Sequence, residues 1–269
     1  METWVIANQK GGVGKTTTSI TMGALLASRG HRVLLVDLDP HGSLTAYLGY
    51  DPDTVEGSIY EVFQSGQPLI GKFQESRIDN LWLMPASPAL ATLDHQLGAQ
   101  QGGGTVLKRA LSQLKDRIDY VLIDCPPTLG ILMVNALAAA DFLIVPVQTE
   151  FLALKGLERM ERTLSMVARA RKSAVPYLIV PTLYDKRTRA SREALEMLRE
   201  HNPENLWDLV IPVDTQFRDA SKRGVPLTVM NSQAKGALAC EALMETILEM
   251  RAAPERQRVV NIAEEEVYG

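Results

Sequence analysis

Apolar runs of strand length alternate along this chain with stretches whose apolar residues recur every third or fourth position, almost to its end. Strands buried on both faces read as unbroken apolar runs, whereas crossover helices need only one apolar side, so the pattern predicts βαβ units around a parallel sheet. Strands are expected over residues 3–7, 32–37, 81–84, 120–123, 142–147 and 177–180, with a faint one over 209–211. Helices are expected over 15–29, 105–114, 131–139, 154–170, 191–199 and 236–251. In the first helix Ile20, Ala24, Leu25 and Ala27 share one side, and Gly30 supplies a left-handed stop. Residues 50–104 are the least regular stretch, marked as loops by Gly66-Gln67-Pro68 and Gly102-Gly103-Gly104, with no internal repeat. The expected architecture is an α/β three-layer sandwich, a mostly parallel central sheet with helices on both faces.

Composition narrows this only a little. At 269 residues the chain can bury one sizeable core, and no Ser/Pro/Gly-rich linker divides it. One domain over residues 1–251 is expected, followed by an acidic C-terminal tail over 252–269. A net charge of −4 gives no general basic field, so nucleic-acid binding requires a local patch. Cys125 and Cys240 lie far apart without metal-ligand spacing and read as small core residues in a reduced, cytoplasmic setting. The four histidines are scattered, which argues against an imidazole metal site. No apolar run approaches the ~18 residues of a membrane span, and the first strand begins at once, leaving no expected room for a signal peptide or a preceding helix-turn-helix.

Ligands of open parallel sheets sit outside the carboxyl ends of the strands, and three such ends carry chemistry here. The first reads Gln9-Lys10-Gly11-Gly12-Val13-Gly14-Lys15-Thr16-Thr17-Thr18, directly after Trp4-Val5-Ile6-Ala7. A strand that breaks into a Gly-rich loop and opens a helix makes a nest of backbone N–H groups shaped for phosphate oxygens, so a nucleoside triphosphate is expected. The glycines let the backbone approach the ligand. Lys15 suits the β- and γ-phosphates as a point charge, Thr16 a magnesium ion, and Thr17 the α-phosphate. The plain alternative, a flexible loop with incidental lysines, leaves the flanking strand and helix unexplained.

The second end is Asp37-Leu38-Asp39-Pro40-His41-Gly42-Ser43 and the third Asp124-Cys125-Pro126-Pro127. Asp124 closes an apolar strand and fits a carboxylate that holds magnesium through water; a helix cap is its structural alternative. Phosphoryl transfer is mostly positioning, so ionised Asp39 suffices to orient an attacking water. Asp39 also joins Thr16 and Asp124 as a candidate magnesium residue, while Asp37 suits the support of that shell or of the strand end.

The loop departs from G-x-x-x-x-G-K-[ST], because Gln9 stands at the first glycine position and Lys10 follows it. In this it resembles the deviant Walker A motif of the ParA/MinD family of P-loop ATPases. Residues 124–141, and Pro146-Val147-Gln148-Thr149-Glu150-Phe151 with its sequel to Leu157, look like the switch II helix and following strand of ParA-type partition ATPases. With Asp37 to Pro40 the likeness covers most of residues 1–160; beyond 180 it thins. There Thr182 opens a segment similar to the family's, and Pro212 and Asp214 fall where members fold a loop over adenine. The resemblance implies ATP and Mg²⁺ as cofactors and a slow ATPase. It also implies a homodimer formed with ATP, in which Lys10 reaches the partner's nucleotide, and an activating partner protein.

Departures from the family pattern bear on cargo. His41 replaces the common glutamine, and Val213 and Gln216 stand where members often carry arginines. These variants look most like ParA-like proteins of chemotaxis systems, which implies polar chemoreceptor arrays as cargo and a polar landmark or chemotaxis protein as partner. Plasmid or chromosome partition is the alternative. A MinD-like membrane-surface regulator is a further one, but Pro254 and Glu264-Glu265-Glu266 deny residues 251–269 a basic amphipathic face, so direct membrane binding is not expected. An iron–sulfur reductase on this loop would need paired cysteines. Lys186, Arg187, Arg189 and Arg192, with Arg218 further on, form a local basic surface that suits non-specific DNA or a partner protein. Equally, such charges can be a solvated face.

Overall fold

The computed structural model describes residues 1–66, 69, 71–93 and 103–268, with side chains to residue 252 except that of Ser65. The strands are β1 (Glu2–Ile6), β2 (Val33–Asp37), β3 (Gln74–Glu75), β4 (Leu81–Met84), β5 (Tyr120–Asp124), β6 (Phe142–Gln148) and β7 (Tyr177–Thr182). Between and after them run α1 (Lys15–Ser28), α2 (Ser43–Tyr47), α3 (Ile59–Ser65), α4 (Val106–Leu111), α5 (Ile131–Ala139), α6 (Ala153–Arg171), α7 (Arg189–His201), α8 (Gln216–Arg223), α9 (Leu227–Met230) and α10 (Lys235–Tyr268). Among the described residues the strands form one seven-stranded sheet in the order β3-β4-β2-β5-β1-β6-β7. Its pairings are parallel except that of the short edge strand β3 with β4.

Strand alternation divides the core into two layers. Trp4, Ile6, Val33, Leu35 and Leu122 pack with Ile20, Met22, Leu26 and, from α10, Leu243 and Ile247. Their neighbours Val5, Ala7, Leu34, Val36, Val121 and Ile123 face the opposite way, onto side chains of α3 to α7. The result is the expected three-layer α/β sandwich. Packing holds α1 in place, because Thr16, Thr17, Thr18 and Ile20 are β-branched and poor helix formers. Complete burial of Ile20, Met22 and Leu26 contributes roughly 2 kcal/mol each and outweighs that deficit.

Pro146 lies inside β6, where a missing N–H normally breaks a ladder. Here β1 pairs with β6 only as far as Ile6 with Ile144, so on that side Pro146 is already beyond the ladder. The Pro146 carbonyl instead accepts a hydrogen bond from Asn8 Nδ2 at 2.7 Å. The end of β1 is thereby tied down where the chain leaves the sheet to form the glycine loop.

Several expectations are corrected. The faint strand at 209–211 forms no ladder: Ile211 N donates to the Pro181 carbonyl at 2.8 Å, and isolated bridges join Ile179 to Leu206 and Tyr184 to Pro212. Pro212 cannot donate, so the segment follows the sheet edge without becoming part of it. The helix expected over 105–114 contracts to α4 between two 3₁₀ turns, and α2, α3, α8 and α9 are short helices the pattern did not reveal. Helix α10 passes Arg251 and runs through Pro254 to Tyr268. Loop expectations at Gln67, Pro68 and Gly102 lie outside the described residues, and no helix among those described is long and apolar enough to cross a membrane.

Candidate functional site

The carboxyl ends of β1, β2, β5 and β7 open on one cavity of about 830 Å³, in the size range of small-molecule sites. Gly11, Gly12, Gly14, Lys15, Thr16 and Thr17 form one side of it. Gly12 and Gly14 have φ of +73° and +91°, backbone states that L side chains rarely adopt, and a Cβ at either would meet nothing within 4 Å. Gly14 is the N-cap of α1 and no side chain caps it, so the first-turn N–H groups remain available to an anion. The arrangement is an open cradle that suits an anion such as phosphate. Val13 is buried instead, its carbonyl accepting from Thr182 Oγ1 at 2.8 Å, which fastens the loop to the end of β7.

Two carboxylates stand side by side beneath the loop, since Asp37 of β2 and Asp124 of β5 are register partners and both are buried. Asp124 Oδ2 accepts from Thr16 Oγ1 at 2.7 Å, and Oδ1 accepts from Ser19 Oγ at 3.1 Å. Burial, and then the charge of Asp37, push Asp124 up to about 7. Asp37 is pushed up to about 6, chiefly by burial; its Oδ2 accepts from Thr45 N and Oγ1 at 2.8 and 2.7 Å, and its Oδ1 from Asp39 N at 3.1 Å. An arriving cation would favour the ionised form of both acids. Thr16 and Asp124 therefore fit a hard divalent ion as a hydroxyl ligand and a carboxylate behind it, while Asp37 is committed to holding the start of α2. No cluster of three His, Cys, Asp or Glu occurs among the described residues, so an all-protein metal cage is not on offer there.

The two lysines separate. Lys15 is buried beside the cradle with Nζ donating to the Lys10 carbonyl at 2.9 Å, and burial lowers its pKa. Lys10 points the other way, donating to Glu150 and, at 3.5 Å, to Gln148 Oε1 at the end of β6. Asp39 lines the cavity opposite, and its Oδ1 lies 2.8 Å from His41 Nδ1. Thr182 and Pro212 also reach the cavity wall. So does Asp214, but its carboxylate is occupied as a cap, accepting from Gln216 N and Gly236 N at 3.0 Å each.

Of the basic residues, Arg218 lies on the cavity wall in α8, apart in the fold from the Lys186 to Arg192 group at the start of α7. Within that group Arg187 pairs with Asp185 at 2.8 Å, Arg189 with Glu193 at 2.6 Å, and Arg192 donates to the Lys186 carbonyl at 2.7 Å. Sequence reasoning missed Tyr47, Phe217, Lys222 and Cys240 as cavity residues. Also missed was Ser19, the second hydroxyl partner of Asp124, which did carry a readable signal: it lies three positions after Thr16 and so on the same face of α1.

A family model described as an AAA domain matches residues 1–176. The sporulation initiation inhibitor protein Soj of Bacillus subtilis is 36% identical over 233 residues, 86% of this chain and 92% of that protein. The chromosome partitioning protein ParA of Caulobacter vibrioides is 36% identical over 249 residues, 90% and 92% of the two chains. Among solved structures, one from Mycobacterium smegmatis described as cobyrinic acid a,c-diamide synthase with bound ADP and magnesium is similar at 37% identity. It has a TM-score of 0.80 and covers 92% of this chain and 94% of its own. A likeness that the motifs carried over residues 1–160 thus spans most of the chain, which belongs to the ParA/MinD family of P-loop ATPases.

Proposed function

We propose that this protein is an ATP hydrolase whose ATP-bound homodimer positions an intracellular cargo. The observation that carries the reading is the uncapped Gly-rich cradle with Asp124 2.7 Å from Thr16 at its floor. ATP and Mg²⁺ are the cofactors that fit it: the bound ion supplies charge at the phosphates, and this chain's residues bind and orient. Lys15 and the loop N–H groups hold phosphate oxygens, Thr16 and Asp124 hold the ion, and Asp39 orients water. Thr182, Pro212 and Asp214 border the nucleotide through their surroundings. Residues 1–251 constitute the ATPase domain, and 252–269 an acidic tail.

Dimerisation across the cavity face has two supports. Lys10 is directed away from its own cradle, as a deviant Walker A lysine meant for the partner's nucleotide should be. Leu129, Phe151, Leu152, Leu183 and Val213, all exposed, follow the carboxyl ends of β5, β6 and β7 or border the cavity. Phe151 is 83% exposed, a degree of exposure that suits a surface covered part of the time.

Partition of chromosome or plasmid is the cargo we favour, because relatives matched over nine-tenths of the chain, such as the Caulobacter protein, are chromosome partitioning proteins. This reverses the order expected from the variants around His41 and Val213, on which a chemoreceptor array now rests alone. An activating partner and turnover in the cytoplasm complete the reading. Sizing the protein with ADP or ATP plus magnesium, alongside Asp39→Ala, tests it. ATP should double the apparent mass, and Asp39→Ala should keep the dimer while losing turnover. A monomer in ATP overturns the dimer cycle.

A further inference from the structure

His41 replaces the glutamine common in the family, and as a sequence feature it reads as a solvated loop residue. Its ring is 84% exposed, yet Nδ1 lies 2.8 Å from Asp39 Oδ1, and His41 N donates to the same oxygen at 3.0 Å. A carboxylate only accepts, so its contact places the ring proton on Nδ1. Two donors converge on Oδ1. Among the described residues no donor reaches Oδ2, and Asp39 lines the cavity.

The backbone around Asp39 is fixed from both sides. Asp39 N donates to buried Asp37 Oδ1 at 3.1 Å, and Gly42 N donates to the Asp39 carbonyl at 2.8 Å. Gly42, at φ +62°, is pressed so closely against Pro52 that an added Cβ would sit 2.3 Å from Pro52 Cγ. With the main chain held, the remaining freedom of Asp39 is rotation of its own side chain, which the His41 N–H and the His41 ring oppose together; the ring is the part of that restraint a side-chain substitution removes. We propose that His41 is a positioning residue for hydrolysis: it holds Oδ1 so that Oδ2 is the oxygen presented to the attacking water. This rests on the reading of Asp39 as the water-orienting carboxylate.

Geometry dictates the test. In asparagine the amide nitrogen sits on the same bond path from Cβ as Nδ1 does in histidine, so His41→Asn keeps a donor at that place, whereas His41→Leu keeps bulk and removes the donor. Steady-state ATP hydrolysis, KM for ATP and ATP-dependent dimerisation are measured for the parent, His41→Leu, His41→Asn, Asp39→Ala and the Asp39→Ala/His41→Leu double variant. His41→Leu should lower kcat about tenfold, within the ~100-fold that misplacing a reacting group can cost, with KM and dimer formation unchanged. His41→Asn should recover most of the loss. Once Asp39 is gone, His41→Leu should have no further effect, because a positioning residue acts only through the group it positions.

An unchanged kcat in His41→Leu, with Asp39→Ala inactive, overturns the role of His41 and leaves that of Asp39 standing. Equal loss in the Leu and Asn variants with raised KM also overturns it, as damage to the loop. Full turnover in Asp39→Ala removes the underlying reading and the inference with it.

Discussion

Lys10 and Lys15 are five residues apart in one loop, and their different surroundings predict different effects of removing each. Burial has already been imposed on Lys15 beside the cradle, so an anion placed there meets a poorly hydrated cation and interacts strongly. Lys15→Ala should therefore abolish nucleotide binding measured by a fluorescent ATP analogue. Lys10 is bound to Glu150 outside the cradle, so Lys10→Ala should bind the analogue with parental affinity while remaining monomeric in ATP. A Lys10→Ala variant that dimerises like the parent would remove its cross-subunit role.

At the scale of elements, the start of α10 presses on α8 through a single ring that borders the cavity. A Cβ on Gly236 would lie 2.4 Å from Phe217 Cε2 and 2.7 Å from Cζ, and Phe217 lines the cavity. Those atoms are the far end of a half-buried ring, so Gly236→Ala should displace the ring into the cavity instead of separating the helices. Nucleotide affinity should fall several-fold with little change in melting temperature; the reverse outcome would mean that the helices part.

A second contact between elements joins the amino ends of β2 and β5. Arg32 N, Nε and Nη2 all donate to Asp119, at 2.7 to 3.1 Å, and this holds the Asp119 carboxyl at about 2. A carboxyl depressed in the folded state stabilises above its unfolded value of about 3.9 and ceases to as pH falls through its folded value. The gap in urea midpoint between parent and Asp119→Asn should thus be largest near neutrality and close as pH falls from about 4 to about 2. A gap that persists at the acid end would show that the contact does not depend on charge. Arg32 is exposed and Asp119 only half-buried, so solvent screens the pair and the gap should be small.

For the whole molecule, the basic surface at the start of α7 sets what a dimer can meet. Four cations stand at the start of α7, but Asp185 and Glu193 pair with two of them, leaving a weak net positive patch on a chain of net charge −4. Such a patch becomes useful when a dimer presents two copies on one face. Duplex binding should accordingly need ATP, be weak, ignore sequence and decline linearly in log affinity with log salt, by about 0.9 per phosphate neutralised. Asp185→Asn should tighten it, and Arg187→Glu with Arg189→Glu should abolish it while sparing hydrolysis. No salt-sensitive binding at low ionic strength would reassign the surface to a protein partner.

Six of the seven strands and the cradle were written in the residue order, for a physical reason. Doubly buried strands must be continuous apolar runs, and a phosphate nest needs glycines and a lysine adjacent in the chain, so both are written locally. The antiparallel β3, the short helices α2, α3, α8 and α9, and the edge segment near Ile211 escaped notice because contacts from distant segments stabilise them, not their own periodicity. The site divides the same way. Gly11 to Thr17, Asp39 and Asp124 were legible at strand ends. Only tertiary structure decided that Lys10 rests on Glu150, that Asp214 caps two helices, that acidic neighbours tie up half of the basic cluster, and that Tyr47, Phe217 and Cys240 wall the cavity. Each of these depends on which side chain another segment brings close, within about 3 Å where a hydrogen bond forms, and residue type alone does not encode that proximity.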